Sequence, residues 1–151
     1  MYRLCQDPEI PRWIPVIPRP YTREDARAFV SGELLEPGGH HFAVEQDGEL
    51  VASIGLRVDH RGNGEIGYWC AAEARGRGVV TRCVRRLCRY AFEELELGRL
   101  EVVVDPENIA SRRVAEKAGF VEEGVLRSHL SHPDGRRRDS VMYSLLPGDP
   151  A

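Results

Sequence analysis

The sequence predicts a mixed α/β fold in which helices cover both faces of one twisted, mostly antiparallel sheet. Three β-type segments separated by tight turns occupy residues 41–70, and a long helical pattern follows at 77–95. A β-rich segment comes directly after that helix, so this strand–helix–strand connection is the single parallel crossover. The predicted order is α-β-β-β-α-β-α-β-β, and a chain of 151 residues suits one domain, which we expect to span 1–151.

The first forty residues are expected to contain one complete helix. Tyr2 to Cys5 looks like the last turn of a helix, and an extended connector around Trp13 follows, since four prolines interrupt it: Pro11, Pro15, Pro18 and Pro20. Thr22 is typical of a helix N-cap and is followed by acidic residues. The apolar stripe of that helix is Ala26, Phe29, Val30 and Leu34, and its expected end is Pro37-Gly38-Gly39.

An antiparallel meander is predicted next. Its strands are 41–46, 50–58 and 65–70, and Asp47-Gly48 between the first two is typical of a two-residue hairpin turn. Residues 62–64 form the second turn. The third strand leads the chain into a run rich in glycine and arginine.

The second half begins with the long helix, whose apolar face consists of Val80, Val84, Leu87, Ala91 and Leu95. The opposite face carries Arg82, Arg85, Arg86 and Arg89, which we interpret as a solvated face rather than a nucleic-acid contact. A strand at 99–104 and a helix at 108–117 follow, and Gly119 suits the end of that helix. Strands 120–129 and 138–146 make a final hairpin around Pro133-Asp134-Gly135.

Composition argues against several classes of function. The net charge of −3 gives no general attraction to nucleic acid or to anionic membranes. The sequence has no apolar run of membrane-spanning length and no start that resembles a signal peptide, so we expect a cytoplasmic protein. Four cysteines show neither a CxxC pair nor metal-ligand spacing, which predicts reduced thiols and no metal site: Cys5, Cys70, Cys83 and Cys88.

The glycine-rich run carries the strongest functional signal. Its residues are Arg75-Gly76-Arg77-Gly78-Val79-Val80, directly before the long helix. Glycine lets the backbone approach a ligand and adopt positive φ, and the first amides of a helix bind phosphate. An ordinary exposed loop has the same composition. Because the run is neither a Walker A loop nor a G-x-G-x-x-G motif, nucleotide hydrolysis and nicotinamide binding lose support.

Several short motifs in order resemble the Gcn5-related N-acetyltransferase (GNAT) superfamily. They are Tyr68-Trp69 followed by Arg75-Gly76-Arg77-Gly78, then Asn108-Ile109-Ala110-Ser111, then Lys117-Ala118-Gly119-Phe120. Within the superfamily the chain is most similar to the RimJ/RimL branch of ribosomal-protein-alanine acetyltransferases, at residues 6–9, 22–26, 66–69 and 108–111. The similarity covers nearly the whole chain and implies a GNAT-type sheet.

The resemblance also implies acetyl-CoA, or another acyl-CoA, as the donor. In the family the amides of the glycine turn hold the pyrophosphate, which corresponds here to Arg75, Gly76, Arg77, Gly78, Val79 and Val80. The pantetheine arm pairs with the backbone of the preceding strand, which ends here at Trp69, Cys70 and Ala71. The asparagine of the downstream helix, here Asn108, bonds the pantetheine region, and Ser111 is counted with this cofactor-binding set. Val80 stands where the family usually has alanine or glycine.

Glu65 and Ser111 match catalytic positions of relatives. Glu65 lies early on the cofactor-binding strand, where the histone-modifying relatives carry a glutamate base; the alternative is a solvent-facing strand residue. Ser111 matches a serine to which the RimL-like branch assigns the acid role toward the leaving thiol; the alternative is a serine bonded to the helix backbone or to water. Weaker candidates for the base or the amine pocket are His60, Glu73, His129 and His132.

Two departures from the family leave a second function open. Ala115 stands where many members carry a tyrosine acid, and Leu130 stands near a carboxylate position of the RimL-like branch. The predicted function is an N-acyltransferase that moves an acetyl group from acetyl-CoA to a primary amine by direct attack in a ternary complex. The alternative is a catalytically silent acyl-CoA-binding protein of the same fold.

The expected acceptor is a small-molecule amine or the N-terminus of a peptide or protein. Its site should lie between the Pro-rich connector, where Trp13 is a plausible wall, the first helices and the hairpin at 129–138. The triplet Arg136-Arg137-Arg138 could meet an acidic substrate, although such a hairpin tip is usually solvated.

The start of the chain leads to an expectation about assembly. Relatives begin with an edge strand that has no counterpart here by our interpretation, and we hypothesise a truncated or misassigned start. Strand 41–46 would then be a bare sheet edge carrying Phe42 and Val44, and a homodimer could form through it.

Overall fold

The computed structural model describes residues 1–34, 37–131 and 135–149. The described helices are α1 Glu9–Trp13, α2 Arg23–Ser31, α3 Val79–Glu93 and α4 Ile109–Lys117, with single 3-10 turns at Leu4–Gln6 and Ala72–Ala74. The described strands are β1 Gly39–Gln46, β2 Glu49–Val58, β3 Asn63–Cys70, β4 Arg99–Val104, β5 Val121–Ser131 and β6 Arg137–Leu145. Among these helices none is both long enough and apolar enough to cross a bilayer.

The six described strands form one sheet in the order β1-β2-β3-β4-β6-β5. Only β3 and β4 pair in parallel, as predicted from the strand–helix–strand pattern, and the other neighbours are antiparallel. Asp47 and Gly48 both have positive φ, 54° and 81°, which is the backbone of the predicted hairpin turn. The mixed α/β fold is therefore confirmed.

Helices cover both faces of the sheet, and a separate core lies on each face. The side chains of β3 alternate between these two cores. Ile66 belongs to the larger core, which also contains buried residues of α3 and α4, such as Val84 and Ala115. Trp69 points to the other face and packs in a smaller core with Ile10 of α1 and residues of α2.

The N-terminal region corrects two predictions. The chain forms α1 at Glu9–Trp13 rather than an extended connector, because Pro11 falls in the first helical turn, where the missing N–H leaves no hydrogen bond unmade. The second helix begins as predicted: Asp25 N–H donates to Thr22 Oγ1 at 3.1 Å, and Thr22 N–H donates to Asp25 Oδ2 at 2.7 Å. It ends early, however, at left-handed Gly32, and not at residues 37–39.

The early end of α2 changes its apolar stripe. Val30 is 72% exposed and Leu34 is 62% exposed, so neither is a core residue, whereas Ala26 is buried. β1 lies at one edge of the described sheet, and Phe42 on it is 41% exposed, as the sequence led us to expect. Of the predicted tip Pro133-Asp134-Gly135, only Gly135 is among the described residues.

Candidate active site

Strands β3 and β4 separate partway along their length and leave a cleft between them. Their parallel register joins Asn63–Glu65 to Arg99–Glu101 and stops there. Residues 66–70 of β3 and 102–104 of β4 continue without that pairing. On their other edges, β3 remains paired with β2 and β4 with β6. We call this space the β3–β4 cleft. It is narrow at Glu65 and open at Cys70.

The cleft side of β3 presents backbone hydrogen-bonding groups. Ala71 N–H donates to Val51 O at 2.8 Å, away from the cleft. Backbone groups alternate in direction along a strand, so those of Ile66, Tyr68 and Cys70 point into the cleft. Arg75 Nε donates to Cys70 O at 3.1 Å on that side. An extended ligand containing amides could pair with this edge as an added strand.

Of the three residues predicted to bind the pantetheine arm, one has its backbone hydrogen-bonding groups directed into the cleft and two have theirs directed toward β2. Cys70 has its backbone on the cleft side, whereas the backbone of Trp69 and of Ala71 faces β2 and their side chains are buried in the smaller core. Burial raises the pKa of the Cys70 thiol, which keeps it protonated and poorly nucleophilic. Cys70 therefore contributes backbone rather than thiol chemistry to the cleft.

The glycine turn lies at the open end of the cleft. Gly76 and Gly78 have positive φ, 73° and 72°, and Gly78 is the N-cap of the 15-residue helix α3. The amides of Val79 and Val80 begin that helix, where N–H groups have no intrahelical acceptor and the helix dipole is positive. A Cβ at Gly76 would meet no atom within 4 Å, so the turn is open on that side. These features fit a diphosphate group.

Two arginine side chains beside the turn make contacts within the protein. The Arg75 side chain turns away to Asp7, with Nη2 2.5 Å from Oδ2. Arg82 instead lies against the turn: its Nη1 donates to Arg77 O at 3.1 Å and is 3.4 Å from the position of a Cβ on Gly78. Arg82 is exposed, as predicted for this face of α3, but its contact with the turn was not predicted. Its spacing of four residues from Gly78 was the signal that could have located it.

The start of α4 faces β3 across the cleft. Asn108 caps the helix, since its Oδ1 accepts the Ser111 N–H at 3.1 Å, and the NH2 end of the same amide remains a donor for a ligand. Ser111 Oγ lies 2.8 Å from the Tyr68 hydroxyl oxygen. Burial raises the pKa of Tyr68 to about 12, so the phenol is protonated at neutral pH. Sequence reasoning used Tyr68 only as part of a motif and missed this contact.

Glu65 is not brought together with Ser111. It lies at the narrow end of the cleft, opposite Glu101, and its carboxylate forms an ion pair with Arg57. Its side chain is 43% exposed. Tyr68, the partner of Ser111, is three residues further along, about 10 Å at the usual rise of a strand, and points to the other face. A proton path from an amine near Ser111 to Glu65 would therefore need water.

The other candidate residues have the following surroundings. Ala115 is fully buried in the larger core, and Leu130 pairs with Arg138 in the β5–β6 register. His129 Nδ1 lies 3.2 Å from Ser140 Oγ, while His60 and Glu73 are exposed. His132 lies outside the described residues. Within residues 1–34, 37–131 and 135–149, no group of three or more His, Cys, Asp or Glu side chains is arranged to hold a metal, and the absence of a metal stays a prediction.

A short strap of residues 7–13 joins the two sides of the open end of the cleft. At one end Asp7 binds Arg75, beside the glycine turn. At the other end the Trp13 carbonyl accepts from Arg138 Nη2 at 3.1 Å. Arg138 also binds Asp105, just after β4, with Nη1 2.6 Å from Oδ2, and each of these side chains is only 13% exposed. The expectation that Arg138 is solvated or meets an acidic substrate is therefore wrong, because it is internally paired.

Comparisons with known proteins agree with this geometry. A family model described as "Acetyltransferase (GNAT) domain" matches residues 1–121. Bacillus subtilis YdaF, which carries the name of a ribosomal N-acetyltransferase, is 45% identical over 102 residues, 66% of this chain and 55% of YdaF. Bacillus licheniformis p20, named as an uncharacterized N-acetyltransferase, is 31% identical over 152 residues, 95% of this chain and 85% of p20. The chain thus spans about half of YdaF and most of p20.

Solved structures show the same fold. Mycobacterium smegmatis RimJ, solved in complex with CoA-disulfide, has a TM-score of 0.83 and 29% identity, with 96% of this chain and 74% of RimJ covered. The chain therefore belongs to the GNAT acetyltransferase family, as its motifs predicted, and RimJ is among the solved structures that it resembles.

Proposed function

We propose that residues 1–151 act as a single acyltransferase domain that binds acetyl-CoA in the β3–β4 cleft and acetylates a primary amine by direct attack in a ternary complex. The observation that carries this proposal is the loss of β3–β4 pairing after Glu65 and Glu101, directly before the glycine turn. One end of the cleft thus offers helix amides for a diphosphate, and its wall offers strand amides for the pantetheine arm. The enzyme names of the relatives favour this activity over silent binding of CoA.

In this proposal acetyl-CoA supplies an acetyl group activated as a thioester. The amides from Gly76 to Val80 hold its diphosphate, with the charge of Arg82 beside them. Cys70 pairs through its backbone with the pantetheine arm, and the amide of Asn108 donates to it. Ser111 donates a hydrogen bond to the departing thiolate, which needs little help because a thiol has a pKa of about 8.5.

We place the acceptor amine on the opposite side of the thioester, under the strap of residues 7–13. Trp13 and the pair Arg138–Asp105 border this side of the open end. The acceptor in this proposal is a protein or peptide N-terminus, a class for which the ribosomal substrate in the name of YdaF is the support. A small-molecule amine is the second class, supported by the spermidine acetyltransferase among the relatives. All four cysteines are free thiols, which supports a location in the reducing cytoplasm. A homodimer through the β1 edge stays a prediction.

The experiment that tests the proposed function combines binding with turnover. We expect acetyl-CoA to raise the melting temperature of the protein. We also expect thiol release from acetyl-CoA in the presence of at least one member of a panel of peptides with free N-termini, polyamines and amino-acid amides. No thermal shift would overturn CoA binding. A shift without thiol release on an extended panel would favour the silent binder.

We also propose that Glu65 is the general base, which takes the proton of the acceptor amine through water, and replacing Glu65 with glutamine tests this role. A general base contributes about 100-fold or more, so we expect Glu65→Gln to lower kcat by about that factor at neutral pH, with KM for acetyl-CoA little changed. Glu101→Gln, which alters the carboxylate opposite Glu65, is the matched control and should retain activity. If Glu65→Gln turns over like the wild type, the amine loses its proton by another path.

A further inference from the structure

We propose that Tyr68 is a positioning residue that directs the Ser111 hydroxyl proton into the β3–β4 cleft, toward the thiol of bound CoA. The inference rests on the proposed function and extends it to a tyrosine on strand β3, whose place differs from that of the helix tyrosine of the family. It starts from the contact between two hydroxyl groups, Tyr68 Oη and Ser111 Oγ, 2.8 Å apart.

The direction of that hydrogen bond decides what Ser111 can do. If Ser111 donates to Tyr68, its only proton is used and a thiolate in the cleft finds no donor. If Tyr68 donates, Ser111 keeps its own proton for the cleft. Tyr68 Oη has one proton and two oxygen neighbours on Ser111, the hydroxyl at 2.8 Å and the carbonyl at 3.3 Å. At 2.8 Å either hydroxyl could donate, but a phenol is a stronger acid than an alkyl alcohol, so Tyr68 is the better donor and Ser111 Oγ the better acceptor. The carbonyl, at 3.3 Å, is the weaker acceptor for the Tyr68 proton.

The environment of Tyr68 supports the same direction. Its ring lies on the face of β3 that packs against the larger core, and burial keeps its phenol protonated. A neutral, buried phenol is a dependable donor at the pH at which thiols ionise. Asn108, meanwhile, holds the Ser111 backbone through the cap of α4, so both the main chain and the hydroxyl of Ser111 are fixed from outside the cleft.

Without Tyr68, Ser111 has an easy alternative. A serine in the first turn of a helix can donate its proton to a backbone carbonyl three or four residues earlier. That rotation would remove the donor from the cleft without changing the fold. The role needs only a hydrogen bond, so no net proton leaves Ser111 or Tyr68. Positioning, rather than acid catalysis, is therefore what the geometry assigns to Tyr68.

The test measures CoA binding, independent of turnover. Titration calorimetry gives the Kd of CoA and of desulfo-CoA, in which hydrogen replaces the thiol, at pH 7.0 and 9.5. A donor aimed at the sulfur stabilises the thiolate, so in the wild type the ratio of Kd for desulfo-CoA to Kd for CoA should rise about tenfold between these pH values. In Tyr68→Phe and in Ser111→Ala it should rise less than about twofold.

Two further variants make the result specific. Tyr90→Phe removes a hydroxyl near the far end of α3, about 16 Å along that helix from Val79, and should behave like the wild type. The double variant Tyr68→Phe with Ser111→Ala should match Ser111→Ala alone, because Tyr68 acts only through Ser111. If Tyr68→Phe keeps the wild-type rise in the ratio, this inference is wrong although CoA binding stands. If the wild type does not bind CoA, the proposed function fails and this inference with it.

Discussion

Replacing Arg138 with methionine is expected to lower the free energy of unfolding by about 3 kcal/mol, because breaking a buried ion pair leaves a desolvated charge without a partner. The charge in question is Asp105, whose side chain is 13% exposed. The same substitution removes the donor to the Trp13 carbonyl, so one end of the strap comes loose. Urea unfolding followed by circular dichroism measures the change.

Glu9→Gln is the control for this substitution. It breaks the ion pair of Glu9 with Arg12, in which the two side chains are 45% and 55% exposed, and exposed pairs contribute about 0.5 kcal/mol or less. A loss below about 1 kcal/mol in Arg138→Met would contradict the idea that this pair joins the strap to the sheet. In Arg138→Met, the KM for the acceptor should rise more than the KM for acetyl-CoA, because the substitution releases the Trp13 end of the strap, which borders the proposed acceptor side, and leaves the Asp7–Arg75 end in place.

Gly76→Asp is expected to weaken binding of acetyl-CoA by about 100-fold or more, since a like charge placed against a diphosphate costs several kcal/mol. The side chain would enter the open space beside the turn, where a Cβ meets nothing within 4 Å. Calorimetric titration with acetyl-CoA measures the effect. The fold should survive, because aspartate tolerates left-handed backbone better than most residues.

Gly62→Asp is the control for Gly76→Asp, because the two glycines have similar backbone conformation and similar open space around them. Gly62 has φ of 79°, against 73° for Gly76, and its Cβ position is also empty within 4 Å. Both variants therefore carry similar backbone strain and the same added charge. Only the variant at Gly76 should lose affinity for acetyl-CoA. Equal affinities in the two variants would show that the diphosphate binds elsewhere.

Local patterns predicted much of the fold because their causes lie within a few residues. Thr22 followed three residues later by Asp25 forms a capping box wherever the chain is helical, and Asp47-Gly48 adopts the backbone of a hairpin turn. The α1 helix was not predicted because several closely spaced prolines favour extended backbone. Pro11, however, falls in the first turn of α1, where proline is tolerated. The end of α2 was missed because Gly32 stopped the helix before the apolar pattern ended.

Some features of the candidate site were also predictable from local sequence, whereas others depend on contacts between distant residues. The turn with Gly76 and Gly78 was evident from the sequence, because only glycine adopts such backbone freely, and its place before a helix indicates an anion site. The contacts of Tyr68 with Ser111 and of Arg138 with Trp13 join residues 43 and 125 positions apart. No spacing rule along the chain reaches so far.

By itself, then, the sequence determined the order of the strands and of the three longer helices, the glycine turn and the GNAT family to which the chain belongs. Only the tertiary structure decided where β3 and β4 part, which hydroxyl faces Ser111, and that the side chains of Arg75 and Arg138 bind the two ends of the strap. The physical reason is range. Backbone conformation depends on neighbours in the chain, whereas hydrogen bonds and ion pairs between side chains depend on which distant segments the folded sheet brings within about 3 Å.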